Sequence, residues 1–295
     1  MSRQALVTYF YQSAFTVSLK KTLMVFSYRQ TGLSQLAPEQ QLSEKDFQGF
    51  NNILVFVSNN SLTHHDRKAI YSWKSSFPIT YILSGDAKKD APDLPNIRVC
   101  REGERFSVAQ AKVSVFGSTD AGVSFMAEAE DMCVFHAGDL NLWHWREENT
   151  LREITRAEET FYGKVAAIPK DKVDICFFPL DPNQGGLYDA GANHLIMAIR
   201  PRVFFPMHFG DRVEIANEYA RRSLSRRTVI FALTQPRESA LVDLSGASPT
   251  VRSTSPGRHG RPGLRRGSVD LSAYTQEDPF SQTDLPVSLD NEEKT

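Results

Sequence analysis

Three short runs rich in aromatic and β-branched residues open the chain: Leu6 to Tyr11, Thr16 to Leu19 and Thr22 to Phe26. Their close spacing predicts a β-meander. Positions 29–49 are polar with one proline, and read as a long loop with a single helical turn. Asn52 to Val57 is an almost wholly apolar strand. After it, Ala69, Ile70 and Trp73 have helical spacing, and Thr63 or Asp66 stands where a cap would. Apolar runs at Ile79 to Leu83, Ile97 to Cys100, Ala111 to Phe116, Val123 to Ala127 and Met132 to Phe135 continue a strand series. The pattern then changes. Glu147 to Ala167 is charged and periodic, as a surface helix is. Strands over Val173 to Phe178, Arg202 to Phe205, Thr228 to Leu233 and Ala240 to Leu244 alternate with helices over Ala190 to Ile199 and Val213 to Ser223. A β-rich half followed by alternating α and β predicts two packed sheets with helices outside.

From about Ser245 the composition breaks. Pro, Gly, Ser, Thr and Arg dominate to Ser268, and acidic and polar residues continue to Thr295. With few large apolar side chains, 245–295 is expected to be a disordered tail, leaving 1–244 as the folded domain. The tail's basic part (Arg252, Arg258, Arg261, Arg265, Arg266) lacks interleaved aromatics, which argues against a nucleic-acid-binding arm. A formal net charge of -1 gives no field toward nucleic acid or an anionic membrane. No run of eighteen apolar residues is present, so no membrane span is expected. The first residues lack a signal-peptide apolar segment, and Cys100, Cys133 and Cys176 are too scattered for a disulfide frame. These features predict a cytoplasmic protein. The pattern leaves the oligomeric state open.

Candidate chemistry sits where apolar strands run into polar turns. Met132 to Phe135 leads into His136-Ala137-Gly138-Asp139-Leu140-Asn141, and Val203 to Phe205 into Pro206-Met207-His208-Phe209. A strand fixes the direction of the residues just beyond it, and a glycine lets the backbone turn, so such junctions present metal ligands well. The run Ile53 to Val57 leads into Ser58-Asn59-Asn60-Ser61-Leu62-Thr63-His64-His65-Asp66. Each candidate also has a structural reading. Asp139 could close an Asx-turn, His64 and His65 could be exposed at a helix start, and Ser61 or Thr63 could cap that helix. His136 reads as a packed histidine or as one that supports a metal ligand from behind, more than as a ligand itself. His144, between Trp143 and Trp145, reads as part of a pocket wall or lid. His194 and His259 are not expected to be ligands. No G-x-S-x-G elbow, P-loop or G-x-G-x-x-G is present.

Together these segments resemble the metallo-β-lactamase-fold hydrolases, in particular the L-ascorbate-6-phosphate lactonase-like branch. The resemblance covers roughly Leu6 to Phe209. It rests on Leu54-Val55-Phe56-Val57-Ser58, on Gly117 to Phe125, on Phe135 to Asn141 and on Phe205 to Phe209. It implies a four-layer αββα sandwich. It also implies a His-x-His-x-Asp-His metal motif after Ser58, where this chain has Asn59, Ser61, Thr63 and His64. Three of those four ligands are replaced. Asp139 matches the family's bridging carboxylate and His208 its late histidine ligand. The resemblance thus implies one metal site without its ligands and a second that keeps His64, Asp139 and His208. Two readings arise from it. In one, the two-metal centre is largely lost, without metal if the loss is complete, and an impaired or non-catalytic relative serves as a binding, scaffolding or regulatory protein, with a small molecule as one candidate ligand. In the other, one divalent metal (zinc, manganese or iron) on His64, Asp139 and His208 hydrolyses a small phosphorylated or lactone-like substrate.

Overall fold

The computed structural model describes residues 3–29, 36–61, 66–73, 76–143, 148–222, 225 and 227–254. In chain order the strands and helices are β1 (Gln4–Tyr11), β2 (Ala14–Ser18), β3 (Thr22–Phe26), β4 (Asn52–Val57), α1 (Arg67–Ile70), β5 (Ile79–Ser84), β6 (Ile97–Cys100), β7 (Arg105–Val108), β8 (Ala111–Gly117), β9 (Val123–Ala129) and β10 (Met132–His136). Next come α2 (Leu151–Ala166), β11 (Ile175–Pro179), α3 (Ala190–Ile199), β12 (Val203–Met207), α4 (Val213–Arg222), β13 (Val229–Ile230), β14 (Ser239–Asp243) and β15 (Thr250–Ser253). One sheet has the order β15-β14-β1-β2-β3-β4-β5-β6, the other β13-β12-β11-β10-β9-β8-β7. This is the four-layer αββα architecture of the metallo-β-lactamase type.

The meander β1–β2–β3 is antiparallel, and β4, β5 and β6 extend it in parallel. The second sheet is antiparallel from β7 to β10, then parallel through β11, β12 and β13. Strand β4 shows why its sequence is apolar without alternation. Leu54 and Phe56 face the core between the sheets, while Ile53, Val55 and Val57 face a second apolar cluster on the outer side. A strand covered on both faces has no solvent side to keep polar. Phe15, Phe177 and Phe205 join the sheets, with ring centroids 4.4 Å (Phe15–Phe177) and 5.6 Å (Phe177–Phe205) apart.

The outer cluster is closed by Leu36, Leu42 and Phe47 from the polar loop and by Ala69 and Ile70 of α1. Two short 3-10 turns, Pro38–Gln40 and Glu44–Phe47, shape that loop where the sequence suggested one helical turn. Arg237 fastens it to the sheet. Its guanidinium contacts Asp46 through two nitrogens at 2.6 and 2.9 Å, donates to the Gln41 carbonyl, and lies 5.0 Å over the Phe10 ring. Asp66 caps α1, its side chain accepting from the Ala69 amide at 3.1 Å. Thr150 and Glu153 form a reciprocal capping box on α2.

Several expectations change. Helix α2 begins at Leu151, set by the Thr150 cap, whereas the charge pattern suggested Glu147. The strand expected over Thr228 to Leu233 pairs only at Val229–Ile230. Strand β7 was not expected, since Arg105–Val108 alternates and makes no apolar run. The tail boundary expected at 244/245 falls between β14 and β15. Thr250–Ser253 pairs antiparallel with β14, so ordered structure continues beyond Leu244 through backbone pairing, with Val251 as its one apolar contact to the core. The remaining tail, 255–295, lies outside the described residues. No helix among the described residues is long and apolar enough to cross a membrane, and the three cysteines are free and buried.

The Asp46–Arg237 link gives a pH-dependent prediction. Burial alone would raise the Asp46 carboxyl, but Arg237 and Ser43 outweigh it and hold it below the ordinary 3.8. A carboxyl lowered on folding adds stability above its unfolded pKa, and that stability is lost as pH falls through the folded one. Asp46→Asn should therefore lower the unfolding free energy near neutral pH by about 1–2 kcal/mol in urea titrations. The deficit should shrink in acid below the ordinary carboxyl range. A deficit independent of pH contradicts this account.

Candidate metal centre

The loops after β4, β10, β11 and β12 gather at one end of the sandwich, because these strands run parallel to their neighbours and deliver their carboxyl ends to one side. Two glycines let the loops after β4 and β10 interlock with the β8–β9 loop. A Cβ on Gly122 (φ +69°) would lie 1.9 Å from the Ser58 carbonyl oxygen. On Gly138 (φ +57°) it would lie 2.7 Å from the Val123 carbonyl oxygen and 2.9 Å from Ser58 Cβ. The Val123 amide donates to Ser58 O at 2.9 Å, closing the contact. This packing carries Asn59 and Asp139 into each other's reach.

Asn59 is fully buried, and its Nδ2 donates to Asp139 Oδ2 at 2.8 Å. Its Oδ1 accepts from the Ser61 amide at 2.8 Å. The Ser61 contact fixes which way the amide points, since only the oxygen can accept from a backbone N–H. The NH2 group must then face Asp139. The Asp139 carbonyl accepts from Trp143 Nε1 at 2.7 Å, and the Trp143 ring meets His208 edge-on with centroids 5.7 Å apart. Trp143 is thus a wall of the site, as the sequence suggested.

His208 has a positive φ of 66°, and its backbone amide donates to Gln12 O at 3.1 Å. Its ring lies between two carboxylates. Nδ1 is 3.3 Å from Asp181 Oδ2, and Nε2 is 3.9 Å from Asp139 Oδ1. Burial would lower the pKa of this imidazole. The Asp181 contact and the charges of Asp139 and Asp181 outweigh it and raise the pKa above the usual histidine value. Burial would raise Asp181, and His208 and the Asn183 amide instead hold it low.

The site therefore brings together two of the three expected ligands, Asp139 and His208. The third, His64, lies outside the described residues, as do Thr63, His65 and His144. His136 is a packed histidine. It stacks on Phe26 at 5.1 Å with rings 2° apart, accepts from Gly138 N on Nδ1 at 3.1 Å, and donates from Nε2 to Ser13 O at 2.9 Å. Because the backbone occupies both nitrogens, neither can serve a cation. His194 packs against Tyr162 at 4.4 Å, where burial lowers its pKa. In the Gly117 to Phe125 segment, Thr119 Oγ1 donates to Asn141 O at 2.5 Å and accepts from Asn141 N at 3.0 Å, bracing the Asp139 turn. Asp181 was not singled out from the sequence. The signal available was an Asp-Pro pair directly after a buried strand.

The residues fit the family's two-metal group poorly. Asn59 turns an amide N–H toward Asp139 Oδ2, and neither Asn59 nor Ser61 supplies an imidazole or a carboxylate to a cation. The second site fits in part. Asp139 Oδ1 and His208 Nε2 face each other across a gap that one cation could bridge. Among the described residues, however, no group of three or more His, Cys, Asp or Glu is placed to hold a metal. Asp181 does not complete one, because it faces the opposite nitrogen of the same ring.

No family model matches the chain, and no curated protein sequence matches it. Solved structures of metallo-hydrolases share its fold. Igni18, a metallo hydrolase from Ignicoccus hospitalis KIN4/I, superposes with a TM-score of 0.55 at 17% identity, covering 81% of this chain and 98% of that one. A protein described provisionally as a metal-dependent hydrolase, from Parabacteroides distasonis ATCC 8503, gives 0.52 at 14%, with 78% and 93% covered. CmlA, a diiron β-hydroxylase from Streptomyces venezuelae, gives 0.50 at 10%, covering 81% of this chain and 54% of that one. Hydrolysis and hydroxylation thus occur on one framework, so the fold alone does not set the reaction.

Asn59→Asp is a direct probe of this geometry. It replaces a donor with a second carboxylate against Asp139, and buried like charges repel. The metal-free variant should lose about 2–4 kcal/mol of stability. Millimolar zinc or manganese should restore much of that loss and leave the parent protein unchanged in thermal melts. A variant as stable as the parent without metal would mean the two side chains do not touch.

Proposed function

We propose that this chain is a relative of the metallo-β-lactamase-fold hydrolases whose two-metal centre has largely been lost, leaving an impaired or non-catalytic protein with a binding, scaffolding or regulatory role. The observation that carries the reading is the buried Asn59 amide donating to Asp139 Oδ2 at 2.8 Å. A carboxylate neutralised by a neutral donor has less to offer a dication, and catalysis in this fold relies on metal-activated water. Threonine at position 63 cannot replace a carboxylate as ligand or base near neutral pH. Placement in the L-ascorbate-6-phosphate lactonase-like branch, with a degenerate first motif, rests on the sequence resemblance. The cytoplasm as its compartment rests on the three free, buried cysteines.

A second reading is supported by the 3.9 Å approach of Asp139 Oδ1 and His208 Nε2. With His64 as third ligand, these residues would hold one divalent metal, which would supply a water acidic enough to attack a lactone or phosphoester. Asp139 and His208 would bind, and Trp143 would shield one side from solvent.

Metal analysis separates the two. Protein purified without chelator should carry less than about a tenth of an equivalent of zinc, manganese and iron together, since the Asn59 amide already occupies one oxygen of Asp139. Near-stoichiometric metal would overturn the non-catalytic reading in favour of the one-metal hydrolase. Restoring the motif with Asn59→His, Ser61→His and Thr63→Asp together should raise metal content to about one or two equivalents. A folded triple variant that gains none would mean that the loop does not face the site.

A further inference from the structure

We infer that Asp181 is a positioning residue that fixes the His208 ring and, when that ring is neutral, keeps its proton on Nδ1. The inference shares with the proposed function only the view that Asp139 and His208 form the site.

The framework for this contact is the parallel pairing of β11 with β12. Pro179 is level with Met207, and the Leu180 amide donates to Met207 O at 2.8 Å. The two chains therefore leave the sheet side by side, one toward Asp181 and the other toward His208. The two oxygens of Asp181 have separate duties. Oδ1 accepts from the Asn183 amide at 2.8 Å, which caps the 3-10 turn Pro182–Leu187. Oδ2 is left toward the imidazole, 3.3 Å from Nδ1. The Asn183 contact keeps the carboxylate from rotating, so Oδ2 stays opposite the ring.

The ring is held from its other sides as well. Its backbone amide is anchored to Gln12 O, and Trp143 abuts it edge-on. Both nitrogens face carboxylates, but unequally. Nδ1 is 3.3 Å from Asp181, within ion-pair range though long for a well-aligned hydrogen bond, and Nε2 is 3.9 Å from Asp139. The single proton of a neutral imidazole belongs on the nitrogen nearer its carboxylate. Asp139 competes less, because Asn59 already donates to one of its oxygens. A carboxylate that orients an imidazole through its remote nitrogen is also what a histidine needs to offer its other nitrogen to a cation or a ligand donor.

The tautomer can be read by long-range 15N–1H correlation of the His208 ring in the full chain. Spectra are taken without added metal at mildly alkaline pH, and the signals are assigned by their loss in His208→Gln. The Nδ1–H form should exceed the Nε2–H form by about tenfold. Asp181→Asn should invert that ratio. The Asn183 amide holds the new side chain's oxygen, so its NH2 group faces Nδ1, and Nδ1 must then accept. Asp181→Ser keeps an oxygen for the cap but withdraws the contact with the ring, and should leave the two forms mixed while near-UV circular dichroism stays native. A parent ring in the Nε2–H form, or one still doubly protonated at that pH, overturns the inference. So does an unchanged ratio in a folded Asn variant. The readout needs neither metal nor substrate, so its failure leaves the metal-content test standing, and the converse also holds.

Discussion

The buried hydrogen bond from Asn59 to Asp139 is the contact on which the rest of the site depends. It joins the loop after β4 in one sheet to the loop after β10 in the other. An amide is a neutral donor, so it satisfies a carboxylate oxygen without bringing a charge into the interior. A dication at the same place would add two charges and need several more donors around it. Through Asn59 and Ser61 the local polar network closes on itself: Ser61 N to Asn59, Asn59 to Asp139. A closed network of this kind stabilises the junction between the sheets and leaves less for a metal to bind.

The backbone makes that closure available. Gly122 and Gly138 admit no Cβ, because three loops pass within van der Waals contact around Ser58. The same close approach would suit a metal centre, whose ligands come from separate loops and must converge. His208 stands at the end of β12, held by Gln12 and flanked by Asp181 and Asp139, whose charges raise its pKa against the effect of burial.

Much of the fold was legible in the sequence, for a physical reason. Strands such as Asn52–Val57 and Met132–His136 are buried on both faces, so their apolar runs are unbroken and easy to recognise. The elements missed were those that burial does not mark. Arg105–Val108 and Thr250–Ser253 are edge strands with exposed alternate positions, held mainly by backbone pairing. The site was legible only where a motif runs along the chain. Asp139 and His208 stand in recognisable junctions, as does the substituted Asn59. Asp181 lies far from His208 in sequence and meets it only through the register of two parallel strands, which no local pattern encodes. The direction of the Asn59 amide was likewise invisible, because it depends on the Ser61 backbone.

The most direct test is crystallography on protein soaked in zinc, with anomalous data collected at the zinc edge. The account predicts Asn59 Nδ2 within hydrogen-bond distance of Asp139 and no anomalous peak between Asp139 and His208. A well-occupied peak there, with the Asn59 amide turned away from the carboxylate, would contradict it.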